Sequence, residues 1–147
     1  MQTDFTIQQY DDPPHELYDL IRQQLIDFNK QHVGEFPHKA LVLVAYDTKQ
    51  EIIAGLLGEV AWGWLHVNIL WVSESYRHAH IGSRLMDRAE SVAVKMGVNQ
   101  AYLETTDFQA AGFYENRGYH IFTRLENHPP GHFMYYMKNT DLSHKSG

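Results

Sequence analysis

Residues 71–86, Trp-Val-Ser-Glu-Ser-Tyr-Arg-His-Ala-His-Ile-Gly-Ser-Arg-Leu-Met, constrain this chain more than any other stretch. They read as the apolar end of a strand, a short polar turn, and then Ile81-Gly82-Ser83 opening a helix. Ile81, Leu85, Met86, Ala89, Val92 and Met96 recur at three- and four-residue intervals, which is the period of an amphipathic helix packed on one face. A turn of small residues at a helix start leaves backbone N–H groups unpaired at the positive end of the helix dipole. That end is suited to a phosphate or pyrophosphate. Gly82 is expected to matter because a Cβ there would stand between a ligand and the backbone.

A second segment, Ala101 to Tyr119 (AYLETTDFQAAGFYENRGY), follows at a distance that makes the two informative together. The loop reads Arg77-His78-Ala79-His80-Ile81-Gly82 and resembles the Arg/Gln-x-x-Gly-x-Gly/Ala pattern of the GNAT family of N-acetyltransferases. The later segment is similar to that family's Asn-x-x-Ala-x-x-Leu/Phe-Tyr-x-x-x-Gly-Phe/Tyr pattern, through Asp107, Ala110, Phe113, Tyr114, Gly118 and Tyr119. The resemblance covers roughly residues 40–138. Residues 126–138 (ENHPPGHFMYYMK) also resemble the C-terminal signature of a poorly characterised bacterial subgroup of GNAT proteins. Two positions depart from the pattern. His80 replaces the first glycine and adds bulk, while Asp107 replaces the usual asparagine and adds a negative charge.

Composition agrees with a folded enzyme-sized unit. A length of 147 residues predicts one domain over 1–147, with a polar tail from Thr140 that frays. Hydrophobic residues make up 44% and charged residues 20%, a globular balance. A formal charge of −6 argues against a nucleic-acid footprint and mildly favours a cationic acceptor. The absence of cysteine removes disulfides, a thiolate nucleophile and cysteine zinc sites. Neither a signal-peptide pattern nor an apolar run of membrane length is present, which predicts a cytoplasmic protein without a membrane partner.

Periodicity predicts one α+β unit without repeats. Asp4–Gln9 reads as a short first strand, and Asp12-Pro13-Pro14 opens a helix whose stripe is Leu17, Leu20, Ile21, Leu25 and Phe28, ended by Gly34 and Pro37. Ala40–Tyr46 and Ile52–Ala61 form a hairpin around Asp47-Thr48-Lys49-Gln50. Leu65–Val72 is expected to alternate without interruption, with Leu65, Val67, Ile69 and Trp71 on one face and His66, Asn68, Leu70 and Val72 on the other. Ala101–Thr105 is a buried strand and Ala110–Asn116 a short helix closed by Gly118. His120–Leu125 and His132–Lys138 are the last strand pair. The resemblance implies a mixed, mostly antiparallel, twisted sheet of six to seven strands flanked by helices, with a splayed central strand pair.

The resemblance also implies acetyl-CoA as cosubstrate, lying between Leu65–Val72 and Ala101–Thr105. The backbone of Leu70, Trp71 and Val72 would hold the pantetheine arm and acetyl carbonyl. The loop of Arg77, His78, Ala79, His80, Ile81, Gly82 and Ser83 would cradle the pyrophosphate, and Asp107, Ala110, Phe113 and Tyr114 would complete the cofactor wall. Tyr114 stands at the family's general-acid position. Glu104, in Leu103-Glu104-Thr105, resembles the element supplying the base in the ribosomal-protein N-terminal acetyltransferases, although its link to Tyr114 is about two residues shorter. Glu59, working through water, is the rival base. For each glutamate a solvated strand position is the competing reading.

Acceptor chemistry is read from the remaining polar and aromatic residues. Trp62, Trp64, Trp71, Phe108, Phe133, Tyr135 and Tyr136 sit on or beside the strands flanking the acetyl end, a composition suited to amines. His66 shares a face with Asn68, which suits either a residue lining that region or, more commonly, a satisfied sheet histidine. His78 and His80 form an H-x-H pair, with His128 and His132 elsewhere, but no third ligand at a suitable spacing makes a metal site, and none is expected. The expected activity is acetylation of a primary amine, on a small cationic metabolite or antibiotic-like molecule. The alternatives are a peptide or protein N-acetyltransferase and a catalytically silent CoA-binding module. An edge strand near the C-terminus leaves room for a homodimer.

Overall fold

The computed structural model describes residues 3–143, which divide into two compact units, one ending at Glu35 and the other beginning at Phe36. The first unit contains helix α1, His15–Val33. Pro14 enters it from extended backbone (φ −67°, ψ 145°), and Gly34 ends it at φ 74° with its N–H donating to the Lys30 carbonyl at 2.9 Å. The strand expected over Asp4–Gln9 is not formed. Its residues alternate in the right way, but within this unit no second strand offers a ladder for their backbone groups.

The second unit is a six-stranded sheet with two helices: β1 (Lys39–Tyr46), β2 (Ile52–Ala61), β3 (Trp64–Val72), α2 (Ile81–Lys95), β4 (Ala101–Thr106), α3 (Ala111–Glu115), β5 (His120–Glu126) and β6 (Phe133–Asn139). The strand order is β1-β2-β3-β4-β6-β5, antiparallel throughout except between β3 and β4. The predicted hairpin turn forms because the Asp47 carboxylate accepts the Lys49 and Glu51 N–H groups at 2.8 and 3.0 Å, with Gln50 left-handed at φ 66°. Helix α2 buries Leu85, Met86, Ala89 and Ala93 on the same side of the sheet as Leu65, Val67, Leu103 and Met137.

Two irregularities shape the site. Between Leu57 and Gly58 the β2–β3 register slips, so that Ile69 pairs with Leu57, Val67 with Gly58, and Asn68 is left over. The bulge reverses the pleat. Leu70 and Val72 therefore join Leu65 and Val67 against the core, while Ile69 and Trp71 turn to solvent. The uninterrupted alternation expected for this strand is corrected accordingly. Gly58 is what lets the bulge close, since a Cβ there would lie 2.6 Å from the His66 carbonyl oxygen.

The second irregularity is the splay. β3 and β4 pair only through Leu65–Ala101, His66–Tyr102 and Val67–Leu103, and beyond these residues the two strands part.

Within the expected tail, Asp141, Leu142 and Ser143 are docked. Leu142 is 3% exposed and its N–H donates to the Asn99 carbonyl, while the Asn99 side chain holds Asp141 and the Ser143 N–H. Residues 144–147 of the expected tail lie outside the described residues.

Candidate active site

Where β3 and β4 part, the backbone of Leu70, Trp71 and Val72 is bonded to β2 on one side and has no strand partner on the other. Unpaired backbone groups at a strand edge must be satisfied by something. At the end of β4, the Thr106 hydroxyl is buried without a hydrogen-bond partner. The neighbouring Thr105 hydroxyl and Thr106 N–H are both occupied by the Gln109 side chain.

The chain leaves β3 through a 3₁₀ turn (Glu74–Tyr76) and enters α2 at His80, whose φ of 58° and ψ of 23° are left-handed. This explains the glycine preference of the pattern at this position. Histidine is among the residues that visit the region more readily than most. No side chain caps α2, so its first-turn N–H groups, around Ile81, Gly82 and Ser83, keep the anion-binding character inferred from sequence. Arg77, His78 and Ala79 lie exposed on the turn, and no carboxylate pairs with Arg77 among the described residues.

Packing within the protein does not itself require Gly82 to be a glycine. Its Cβ would meet Phe113 at 3.5 Å and Val72 at 3.7 Å, ordinary contacts. Within the protein a methyl group would therefore fit here.

Tyr114 and Glu104 occupy opposite faces of the sheet. Tyr114 belongs to the core cluster on the α2 side, in ring contact with Phe113 and Tyr119. Burial pushes its pKa up to about 12, so at neutral pH the phenol keeps its proton. The segment carrying it is fastened to α2 by a buried network. Arg117 donates to Asp87 and Glu90 at 2.7 Å each, and the Tyr119 hydroxyl donates to the other Glu90 oxygen at 2.7 Å. Glu90 is 4% exposed. The Tyr119 pKa is raised strongly, first by burial and then by the Glu90 charge.

Glu104 lies just past the vertex of the splay on the other face. Both of its oxygens approach His66 Nε2, at 3.0 and 2.8 Å, and His66 stacks on Tyr102 with ring centroids 4.3 Å apart and planes 5° apart. Two carboxylate oxygens around one ring nitrogen place the proton on Nε2. Glu59 sits across from His66 on β2 and bonds His38 Nε2 at 3.1 Å, more exposed than Glu104. The Tyr102 hydroxyl is held above its ordinary pKa by burial, then by Glu104 and Glu59.

The Asp107 carboxylate is engaged locally. It bonds His132 Nδ1 at 2.9 Å and accepts the Phe133 N–H at 3.3 Å, closing the end of β4 onto the start of β6. Ala110 precedes α3, and Phe113 reaches back towards Gly82. The structure thus brings Leu70–Val72, the 77–83 loop and Phe113 to one end of the sheet. Glu59 stays at the rim, beside His38. The sequence reading missed Gly58, the Glu90–Arg117–Tyr119 network and the His66–Glu104 pair. Contacts between residues 27 to 38 apart leave no local signal, and only the glycine inside an apolar strand pattern could have flagged the bulge.

Among the described residues no helix is long and apolar enough to cross a membrane, and no group of three or more His, Cys, Asp or Glu is placed to hold a metal ion.

Residues 2–119 match the sequence pattern of the acetyltransferase (GNAT) family. A blasticidin-S acetyltransferase of Streptomyces morookaense is 42% identical over 96 residues, covering 65% of this chain and 71% of that protein. An acetyltransferase of Agrobacterium fabrum is 33% identical over 99 residues, covering 67% and 72%. The crystal structure of an acetyltransferase from Bacillus cereus superposes with a TM-score of 0.75 at 27% identity, over 90% of this chain and 96% of that one. With the sheet order, the splay and the uncapped helix already described, these likenesses establish that the chain belongs to the GNAT family of acetyltransferases.

Proposed function

We propose that the protein transfers the acetyl group of acetyl-CoA to a primary amine of a small cationic, antibiotic-like molecule in the cytoplasm. The observation that carries this reading is the splay itself, with a protonated phenol on one face of the sheet and a half-buried carboxylate on the other. Blasticidin-S acetyltransferase, the relative at 42% identity, supports the choice of acceptor class.

The residues present fit acetyl-CoA. The unpaired edge of Leu70–Val72 suits an amide-bearing arm, the orphan Thr106 hydroxyl offers a further polar contact, and the uncapped start of α2 with Arg77 suits a pyrophosphate. When bound, acetyl-CoA supplies an activated thioester. The amine nitrogen bonds to its carbonyl carbon, Glu104 takes the amine proton, and Tyr114 gives its proton to the departing sulfur as the C–S bond breaks. Glu104 is preferred to Glu59 because it stands at the vertex and is better shielded, at 25% against 43% side-chain exposure. The backbone at Leu70–Val72 polarises the carbonyl.

CoA thiol release over a panel of small amines, peptides with free α-amines and lysine peptides tests the reading. Release with small amines, lost by 10²–10⁴-fold in kcat on Tyr114→Phe with CoA affinity retained, is the expected outcome. Release only with peptides would move the acceptor class. CoA binding without release from any amine would identify a silent binding module.

A further inference from the structure

On the Glu104 face of the sheet, Trp64, Tyr102, Phe122 and Lys138 line an open pocket of about 220 Å³. Three aromatic rings line it. Tyr102 is held between its stack on His66 and an edge-on contact with Trp64, at 5.7 Å and 79°. Phe122 is the extra residue where the β5–β6 register slips between Ile121 and Thr123, and it is 47% exposed. Lys138 Nζ lies 5.0 Å over the Phe122 ring centroid. No carboxylate pairs with Lys138 among the described residues, whereas Arg22, Lys30, Arg117 and Arg124 each have one.

Charge is distributed unevenly across this pocket. One row of paired positions crosses the sheet as Glu59, His66, Tyr102 and Lys138. Glu104 pairs with Tyr136, so Lys138 is its diagonal neighbour on β6. Diagonal neighbours of this kind lie about 7–8 Å apart. Two carboxylates, Glu59 and Glu104, therefore bound one side of the aromatic floor, and a lysine without an acidic partner bounds the other.

We infer that Trp64, Tyr102, Phe122 and Lys138 form an acceptor subsite, and that the acceptor carries a planar ring and an anionic group at the far end from its reacting amine. The inference rests on the acetyl-transfer reading and deepens it by naming the substrate class. The amine meets Glu104, the ring stacks on the aromatic floor, and a carboxylate or phosphate pairs with Lys138. An acceptor bearing only amines would leave Lys138 facing like charge, so the amine-bearing acceptor proposed above is one that carries an anionic group as well.

Calorimetry on the CoA-saturated protein tests this with 4-(aminomethyl)benzoate, which holds an amine and a carboxylate at opposite ends of one ring. Its neutral-ended counterpart is 4-methylbenzylamine. The expected result is at least about tenfold tighter binding of the carboxylate, roughly 1.4 kcal/mol. That preference should vanish in Lys138→Met and persist in Lys138→Arg, and Trp64→Ala should weaken both probes. In steady-state assays the preference should fall in KM with kcat little changed. Equal binding of the two probes, or a preference that survives Lys138→Met, overturns the subsite. Discriminating binding without CoA release from 4-(aminomethyl)benzoate upholds the subsite and counts against the transfer reading alone.

Discussion

Two clusters built from the same ingredients lie on opposite faces of the sheet. On the α2 side, Glu90 is buried and gives one oxygen to Arg117 and the other to the Tyr119 hydroxyl. On the other side, Glu104 gives both oxygens to a single histidine, beside a half-buried tyrosine ring, and a quarter of its side chain remains open. Closing a carboxylate into a network of permanent donors holds α2 to the segment carrying Tyr114, and burial seals that carboxylate from solvent and substrate. The looser cluster is available to a substrate and contributes less to stability.

Two substitutions would break this comparison most directly. Glu104→Gln should lower kcat by about 10²–10⁴-fold while the urea unfolding midpoint stays near wild type, because the amide is isosteric and partly solvated. Glu90→Gln should do the reverse. Removing one partner of a buried pair typically costs about 3–5 kcal/mol, and Asp87 still partners Arg117, so a loss near 3 kcal/mol is expected. The kcat of the folded fraction should be preserved. If both variants lose turnover and neither loses stability, the division between the two faces is wrong.

Alkaline titration sharpens the contrast at smaller amplitude. Tyr114 has its pKa pushed up to about 12 from the ordinary 10.0 by burial, and Tyr119 is raised by burial and then by Glu90. The folded state favours the protonated phenols, so this stability is complete below pH 10. It is lost as pH rises towards 12, when the unfolded chain ionises first. Tyr114 alone accounts for roughly 3 kcal/mol of that loss. Denaturant midpoints followed through the alkaline range should fall in wild type and fall less in Tyr114→Phe. A fall unchanged in that variant would locate the titrating group elsewhere.

The smallest effect belongs to His80, which is part of neither cluster. Its left-handed backbone favours glycine, so His80→Gly should stabilise the fold by no more than about 1 kcal/mol. CoA affinity should stay within tenfold, roughly 1.4 kcal/mol, by calorimetry. A larger loss would show that the imidazole itself contacts the phosphates.

Much of the sheet and helix order was legible because it rests on local periods. The α2 stripe placed Leu85, Met86 and Ala89 in the core, and the Asp47 turn placed the first hairpin. Pairings between distant residues were not legible. Asp4–Gln9 has the pattern of a strand but lacks a ladder, and Leu142 looks like tail yet docks beside Asn99. The bulge escaped because a register slip depends on the neighbouring strand, and its one trace is a glycine that must pass close to the His66 carbonyl. The proposed roles of Tyr114 and Glu104 came from the family resemblance. Periodicity placed their strand and helix but could not show that Glu104 meets His66.

The leftover Asn68 has a consequence for how such a site can diversify. Ahead of it, β3 points Trp64 and His66 at the proposed acceptor face; after it, the same strand offers the splay a backbone edge, with Leu70 and Val72 anchored in the core. One strand thus holds two independently variable segments, joined by a phase change. On the proposed reading, substitutions at Trp64 should retune acceptor preference without disturbing the carbonyls and amides that would grip the donor. Shortening the strand by that single residue would reunite the phases, and the two functions would have to drift together.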